Sequence, residues 1–149
     1  MNYLVDTCVI SEYLKKQPVQ QVIDWLDEQD ERKLYLSSLT IAELKKGYFK
    51  LLNKRSAQKN ASKAAKIRLW IQRIEQRFDS RLIEIDAKVL TEWSKLCGRA
   101  EAMGNKLPVV DSLLAATARS HGLIVVTRNV SDLERCNSEI DILNPFYLG

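Results

Sequence analysis

Apolar positions along the chain fall into two alternating rhythms. Short, mainly apolar runs begin the stretch 2–10 and recur at 34–36, 82–85, 123–127 and 140–143. Runs of this kind read as strands, the first of them as one covered on both faces, as in parallel sheets. Between them, apolar residues recur every three or four positions, the spacing of one helix face. Val19, Val22, Ile23 and Leu26 do so after Pro18, which suits the first turn of a helix; so do Ile41, Leu44, Tyr48, Leu51 and Leu52. The longest helical stretch, 53–78, carries the stripe Ala57, Ala61, Ala64, Ile67, Ile71, Ile74 and Phe78. Val89, Trp93, Leu96, Ala100 and Met103 mark a further helix that Gly104 closes, and Gly122 closes the one containing Ala115 and Ala118. Five strands separated by helices predict one α/β domain, residues 1–149, with a parallel sheet between helical layers.

Acids stand at the ends of these strands. Asp6 follows the first, where ligands bind in open α/β sheets, although an acid or Thr at such a junction also caps the next helix, expected near Val9 or Ile10. Glu43 lies in the first turn after the second strand, where Thr40-Ile41-Ala42-Glu43 also fits a capping box. Asp86 follows the third strand and reads as a helix cap. Asp111 opens the helix bearing Ala115 and Ala118, a small-residue face that lets the backbone lie close to the sheet; the helix dipole would also favour an acid there. Thr127, Arg128, Asn129 and then Asp132 follow the fourth strand.

Composition narrows the class. A hydrophobic fraction of 46% over 149 residues suffices for a sizeable core. No apolar run approaches the ~20 residues that cross a bilayer, and MNYLVD lacks the pattern of a cleavable leader, so the expected location is cytoplasmic, with no membrane partner. Cys8, Cys97 and Cys136 have no paired spacing, which argues against a disulfide framework or a zinc site and for buried thiols. The net charge of +4 is a weak pointer to a polyanion. More telling is the long helical stretch, where Lys59, Lys63, Lys66, Arg68, Arg73 and Arg77 fall mainly off the apolar stripe, giving either a phosphate-contacting face or a solvated one. Trp70 in that stretch reads as core or dimer contact.

Four separated motifs, LVDTCVI, SSLTIAEL, LPVVDSLLAATA and VVTRNVSDLE, together with a terminal NPF, resemble a PIN domain of the VapC toxin group over essentially the whole chain. The resemblance implies a three-layer PIN-like fold: a five-stranded parallel sheet of order 3-2-1-4-5, flanked by helices, with a helical arm between strands 2 and 3. It places Asp6 and Thr127 on neighbouring strands at the switch point. It implies catalytic roles for Asp6, Glu43 and Asp111. The family's fourth acid falls either where this chain has Asn129 or a few residues later at Asp132, to which the role is assigned, with Thr7, Thr127 and Asn129 as supporting residues. It further implies an RNA substrate, in many relatives a tRNA or rRNA, a homodimer, and a VapB-like antitoxin.

Gathered carboxylates repel one another unless a cation neutralises them. Hard oxygen donors that leave room for water suit Mg²⁺ or Mn²⁺, here expected on Asp6 and Asp111. With His121 the single histidine, placed at a helix end where capping or packing would occupy it, a metal-free two-histidine ribonuclease is excluded. The expected activity is that of a magnesium-dependent endoribonuclease leaving a 5′ phosphate. Alternatives are a PIN nuclease of RNA processing outside toxin systems, an inactive acidic-pocket binding module, favoured by Asn129, and a receiver-like phosphoacceptor, which would want a lysine where Arg128 stands.

Overall fold

The computed structural model describes residues 1–54, 58–136 and 140–148. Its sheet follows from the short apolar runs: β1 (Tyr3–Val5), β2 (Leu34–Ser37), β3 (Leu82–Ile83), β4 (Ile124–Val126) and β5 (Ile142–Leu143) lie parallel in the order β3-β2-β1-β4-β5. Tyr3 pairs with Leu34 on one side and Ile124 on the other, so β1 is central, and the strand order reverses between β1 and β4. Helices α1 (Thr7–Ile10), α2 (Gln20–Glu28), α3 (Ser38–Leu52), α4 (Ala61–Arg77), α5 (Ala87–Ala102), α6 (Val109–His121) and α7 (Val130–Glu134) make the crossovers. The sheet order and the helical arm between β2 and β3 are those the family resemblance implied.

Because successive strand residues point to opposite faces, β1 sends Val5 into one core and Leu4 into another, and both are fully buried. The first core joins Val5, Val9, Val22, Leu36, Ile71, Ile74 and Phe78. The second joins Leu4, Val125, Leu96, Leu114, Ala115, Ala118 and Leu133. Ala115 and Ala118 sit fully packed in that second core, so their small side chains do hold α6 against the sheet.

Several boundaries differ from the sequence expectation. β3 stops at Ile83 rather than 85, because its only ladder is with β2, which turns into α3 immediately after Ser37 pairs with Ile83. β5 is cut to Ile142–Leu143 by the short β4 it pairs with. The stretch 53–78 is not one helix: α3 ends at Asn53, whose side-chain amide donates back to the Phe49 carbonyl (2.8 Å), and α4 begins at Ala61. Ala57 lies outside the described residues, Ala61 is exposed, and the stripe that packs runs from Ala64. Helix α2 starts at Gln20 with Val19 at its cap, so Pro18 stands just before the helix rather than in its first turn, and α1 starts at Thr7. Gly104 (φ 78°) and Gly122 (φ 64°) take the left-handed conformation at the ends of α5 and α6; after each the chain folds back, Asn105 N–H donating to Ala100 and Leu123 N–H to Ala118. Of the three thiols, Cys136 is buried, whereas Cys8 and Cys97 are partly accessible. None of the described helices is long and apolar enough to cross a membrane.

Candidate active site

Asp6 leaves β1 at the switch point. Its backbone N–H extends the ladder to the Val126 carbonyl (2.9 Å), which places it beside the end of β4, while Thr127 N–H extends the next ladder to Leu143 (3.0 Å). The two side chains therefore meet: Thr127 Oγ1 donates to Asp6 Oδ2 at 2.8 Å. Asp6 Oδ1 accepts the Thr7 N–H at 2.7 Å, so the capping reading is right for one oxygen and does not use the other. Asp6 is 8% exposed and Thr127 fully buried, giving a carboxylate fixed in direction with little freedom to turn.

Glu43 reaches the same place by another route. The N-cap of α3 is Ser37, whose Oγ accepts the Leu39 N–H (3.1 Å), so Glu43 lies in the second helical turn and the capping box read from Thr40 to Glu43 does not form. Thr40 is buried within the helix, and Glu43 Oε1 instead accepts the Thr7 hydroxyl at 2.8 Å. Thr7 thus links two acids 37 positions apart, its amide to Asp6 and its hydroxyl to Glu43.

Asp111 occupies the first turn of α6, a start fixed by its neighbour: Ser112, fully buried, accepts the Trp93 indole N–H (3.0 Å) and donates to the Val109 carbonyl (2.9 Å). Burial raises the Asp111 carboxyl above the ordinary aspartate value, and so do the charges of Asp132, Asp6 and Glu43, in that order. Every charge that shifts Asp111 is another acid, and the three are the other carboxylates singled out from the sequence. Asp132, in the first turn of α7, weighs most among them. Asn129 is exposed; its backbone N–H, not its side chain, donates to Thr127 Oγ1 (3.0 Å). The basic groups paired among the described residues serve other acids: Glu12, Asp30, Glu31, Glu75 and Glu92. Asp86 is a structural cap, accepting the Val89 N–H (3.0 Å), and His121 ends α6 away from these acids.

The sequence pattern gives no reason to place Cys8 in this site, yet its thiol lies 3.5 Å from Asp6 Oδ2 and 3.6 Å from Thr127 Oγ1, and it accepts the Arg128 N–H (3.5 Å). Burial, then the Asp6 charge, pushes its pKa up, so it stays a neutral donor to the carboxylate. Its sequence signal is position alone, two residues past Asp6 on the first helical turn. The terminal NPF also joins the rim: Asn144 accepts the Phe146 N–H (3.0 Å), and the Arg128 guanidinium lies 3.9 Å from the centre of the Phe146 ring.

Among the described residues no three Asp, Glu, His or Cys side chains form a ready-made chelate. Two of the acids are held by threonines, Asp6 by Thr127 and Glu43 by Thr7, and Asp111 is the one whose carboxyl the other three raise.

Two consequences can be measured. Thr127→Val removes a donor from Asp6 and an acceptor from the Asn129 N–H inside a buried network; urea denaturation should show a loss of about 1–3 kcal/mol. Asp111→Asn should do the opposite. A folded-state carboxyl pKa above the unfolded one means that the folded chain binds more protons between the two values, so stability falls as pH rises through that window and the cost is complete above it. The asparagine variant should therefore melt a few degrees higher than the parent at neutral pH without divalent cation, and the difference should vanish on acidification below the usual aspartate range; a lower melting point at neutral pH would contradict the repulsion.

Comparison with known proteins agrees with this fold. A family model described as PIN domain matches residues 3–136. The chain is similar to Toxin FitB of Neisseria gonorrhoeae, 32% identical over 148 residues covering 97% of this chain and 98% of that one. It is also similar to VapC ribonuclease Y4jK of Sinorhizobium fredii, 33% identical over 96% of each. Among solved structures, FitAcB from Neisseria gonorrhoeae superposes with a TM-score of 0.79 at 31% identity, covering 98% of this chain and 99% of that one. With its sheet order, its acids at the strand ends and relatives above 30% identity along nearly its full length, the chain belongs to the PIN-domain family, in the VapC group.

Proposed function

We propose that this protein is the toxin of a type II toxin-antitoxin pair, a Mg²⁺-dependent endoribonuclease that hydrolyses RNA, with tRNA or rRNA as the expected target. The observation that carries the proposal is the meeting of acids remote in sequence: Thr7 bonds both Asp6 and Glu43, and Asp111 feels the charges of Asp6, Glu43 and Asp132. Names of relatives support it: one is called a toxin and another a VapC ribonuclease.

The donor set suits a hard divalent ion. All four side chains offer carboxylate oxygen, and no cation is among the charges acting on Asp111. Asp6 and Asp111 would hold the ion, with Glu43 and Asp132 completing the site. When bound, it would supply a nucleophile at neutral pH and offset charge on the phosphoryl oxygens. The chain's own part is positional. Thr127 and Thr7 fix the directions of Asp6 and Glu43, Ser112 and Trp93 fix the start of the helix carrying Asp111, and the packed alanine face keeps that helix from drifting. Asn129 acts through its backbone on Thr127. No imidazole takes part.

Relatives solved as a FitAB assembly support a VapB-like antitoxin as partner. Leu90, Val109 and Val110, exposed on the paired helices α5 and α6, suit burial in a homodimer. The toxin reading is tested by induction in a bacterial host. Growth should stop with the intact chain and continue with Asp6→Ala; continued growth with both, at equal protein level, would contradict it.

A further inference from the structure

Glu43 also borders a groove of about 320 Å³ between the end of α3 and the beginning of α4. Its lining includes Tyr48, Leu51 and Ile67 together with Lys50, Lys54 and Lys63. None of these three ammonium groups is paired with an acid among the described residues, although Lys45 on the same helix is, with Glu75. Lys63 stands in the first turn of α4, a turn without acidic residues or a side-chain cap, so the partial positive charge of the helix end adds to that of the lysines. The groove thus has an acidic end at Glu43, joined through Thr7 to Asp6, and a basic end. Glu43 is the one side chain common to the four-acid site and the groove.

We propose that this groove is a nucleotide subsite for the RNA strand, Lys50, Lys54 and Lys63 holding a backbone phosphate next to the one cleaved while Tyr48 lies against the adjoining base or ribose. The inference rests on the ribonuclease reading. Polarity sets the register of the strand. A phosphate at the acids is tolerated only with a cation there, whereas the neighbouring phosphate meets three cations already in place. Lysine binds phosphate as a mobile point charge, and an aromatic face stacks on any base, so the subsite favours single-stranded RNA without selecting its sequence.

The test uses the full chain carrying Asp6→Asn, in chelator, with fluorescent decauridylate as probe. Adding Lys50→Gln, Lys54→Gln and Lys63→Gln should weaken binding about tenfold or more at low salt. It should also reduce the slope of log affinity against log salt by roughly 0.7 for each phosphate that the lysines no longer neutralise. A charge-matched control, Lys16→Gln, Lys33→Gln and Lys88→Gln, should do neither, and both triple variants should keep the parent melting temperature. In the otherwise intact chain, the loss in kcat/KM for RNA cleavage should fall on KM. Equal weakening by the control, or unchanged affinity in the groove variant while the intact chain still cleaves RNA, overturns the subsite and leaves the nuclease standing. Loss of polyglutamate binding with decauridylate binding retained overturns it in favour of an acidic peptide. Absence of RNA cleavage by the intact chain removes the ribonuclease reading, and the subsite with it.

Discussion

Asp6→Asn should leave the fold intact and lower RNA cleavage by roughly a thousandfold or more. The fold survives because the substitution keeps shape and most hydrogen bonds. The amide oxygen can accept the Thr7 N–H, and the amide nitrogen can donate to Thr127 Oγ1, which turns its own proton elsewhere. Loss of one negative charge from a self-repelling group costs no stability. What disappears is the anionic donor at the point where β1 and β4 part. Asp111→Asn should match it in activity, and the double variant should be scarcely worse than either single one, since residues acting on one centre are far from additive. The measurement is a gel-resolved time course of RNA cleavage with far-ultraviolet circular dichroism as the fold control. Activity within a few-fold of the parent in either variant would contradict the assignment.

The second large effect concerns the cation. Mg²⁺ at about a hundred times its dissociation constant should stabilise the parent chain by about 2.7 kcal/mol, because an ion that binds only the folded state stabilises it by mass action. For a domain near this size that is a rise in melting temperature of about 5–10 °C. Chelator should reverse the rise and abolish cleavage. Ca²⁺ and Na⁺ at equal ionic strength separate binding at the site from general screening of the acids. The gain should be lost in Asp111→Asn, so that a variant more stable than its parent without cation becomes the less stable with it. This inversion of rank is specific to carboxylates that share an ion. A rise of similar size in the variant would place the ion elsewhere.

Much of this arrangement was legible in the chain, for identifiable reasons. Strands buried on both faces leave unbroken apolar runs, and helices leave a three-to-four spacing, so the alternation of elements follows from pattern alone. Asp6 and Asp111 were visible because each sits where a strong pattern changes. Sheet order came instead from the resemblance, since nothing in a run such as LYLS states which neighbour it pairs with. The role of Glu43 was ambiguous for a physical reason: a Thr three residues before a Glu fits a capping box wherever the helix begins, and only the true start at Ser37 decides that Glu43 faces Thr7. Boundaries failed where partners set them, as in β3, whose length is limited by the turn of β2 into α3. The start of α4 was misplaced because Ala57 and Ala61 fit the three-to-four spacing of the stripe that follows them, although the helix begins only at Ala61. Cys8 carried no signal beyond its spacing from Asp6, and the groove beneath Lys50 and Lys63 exists only once two helices are laid side by side.

The most direct measurement is an anomalous difference map from a crystal of the chain grown with Mn²⁺. The expected result is a peak in contact with the carboxylates of both Asp6 and Asp111, with Glu43 and Asp132 turned toward it. A map with no peak between those two side chains at saturating Mn²⁺, or with its peak on acids elsewhere in the molecule, would contradict the shared-cation site.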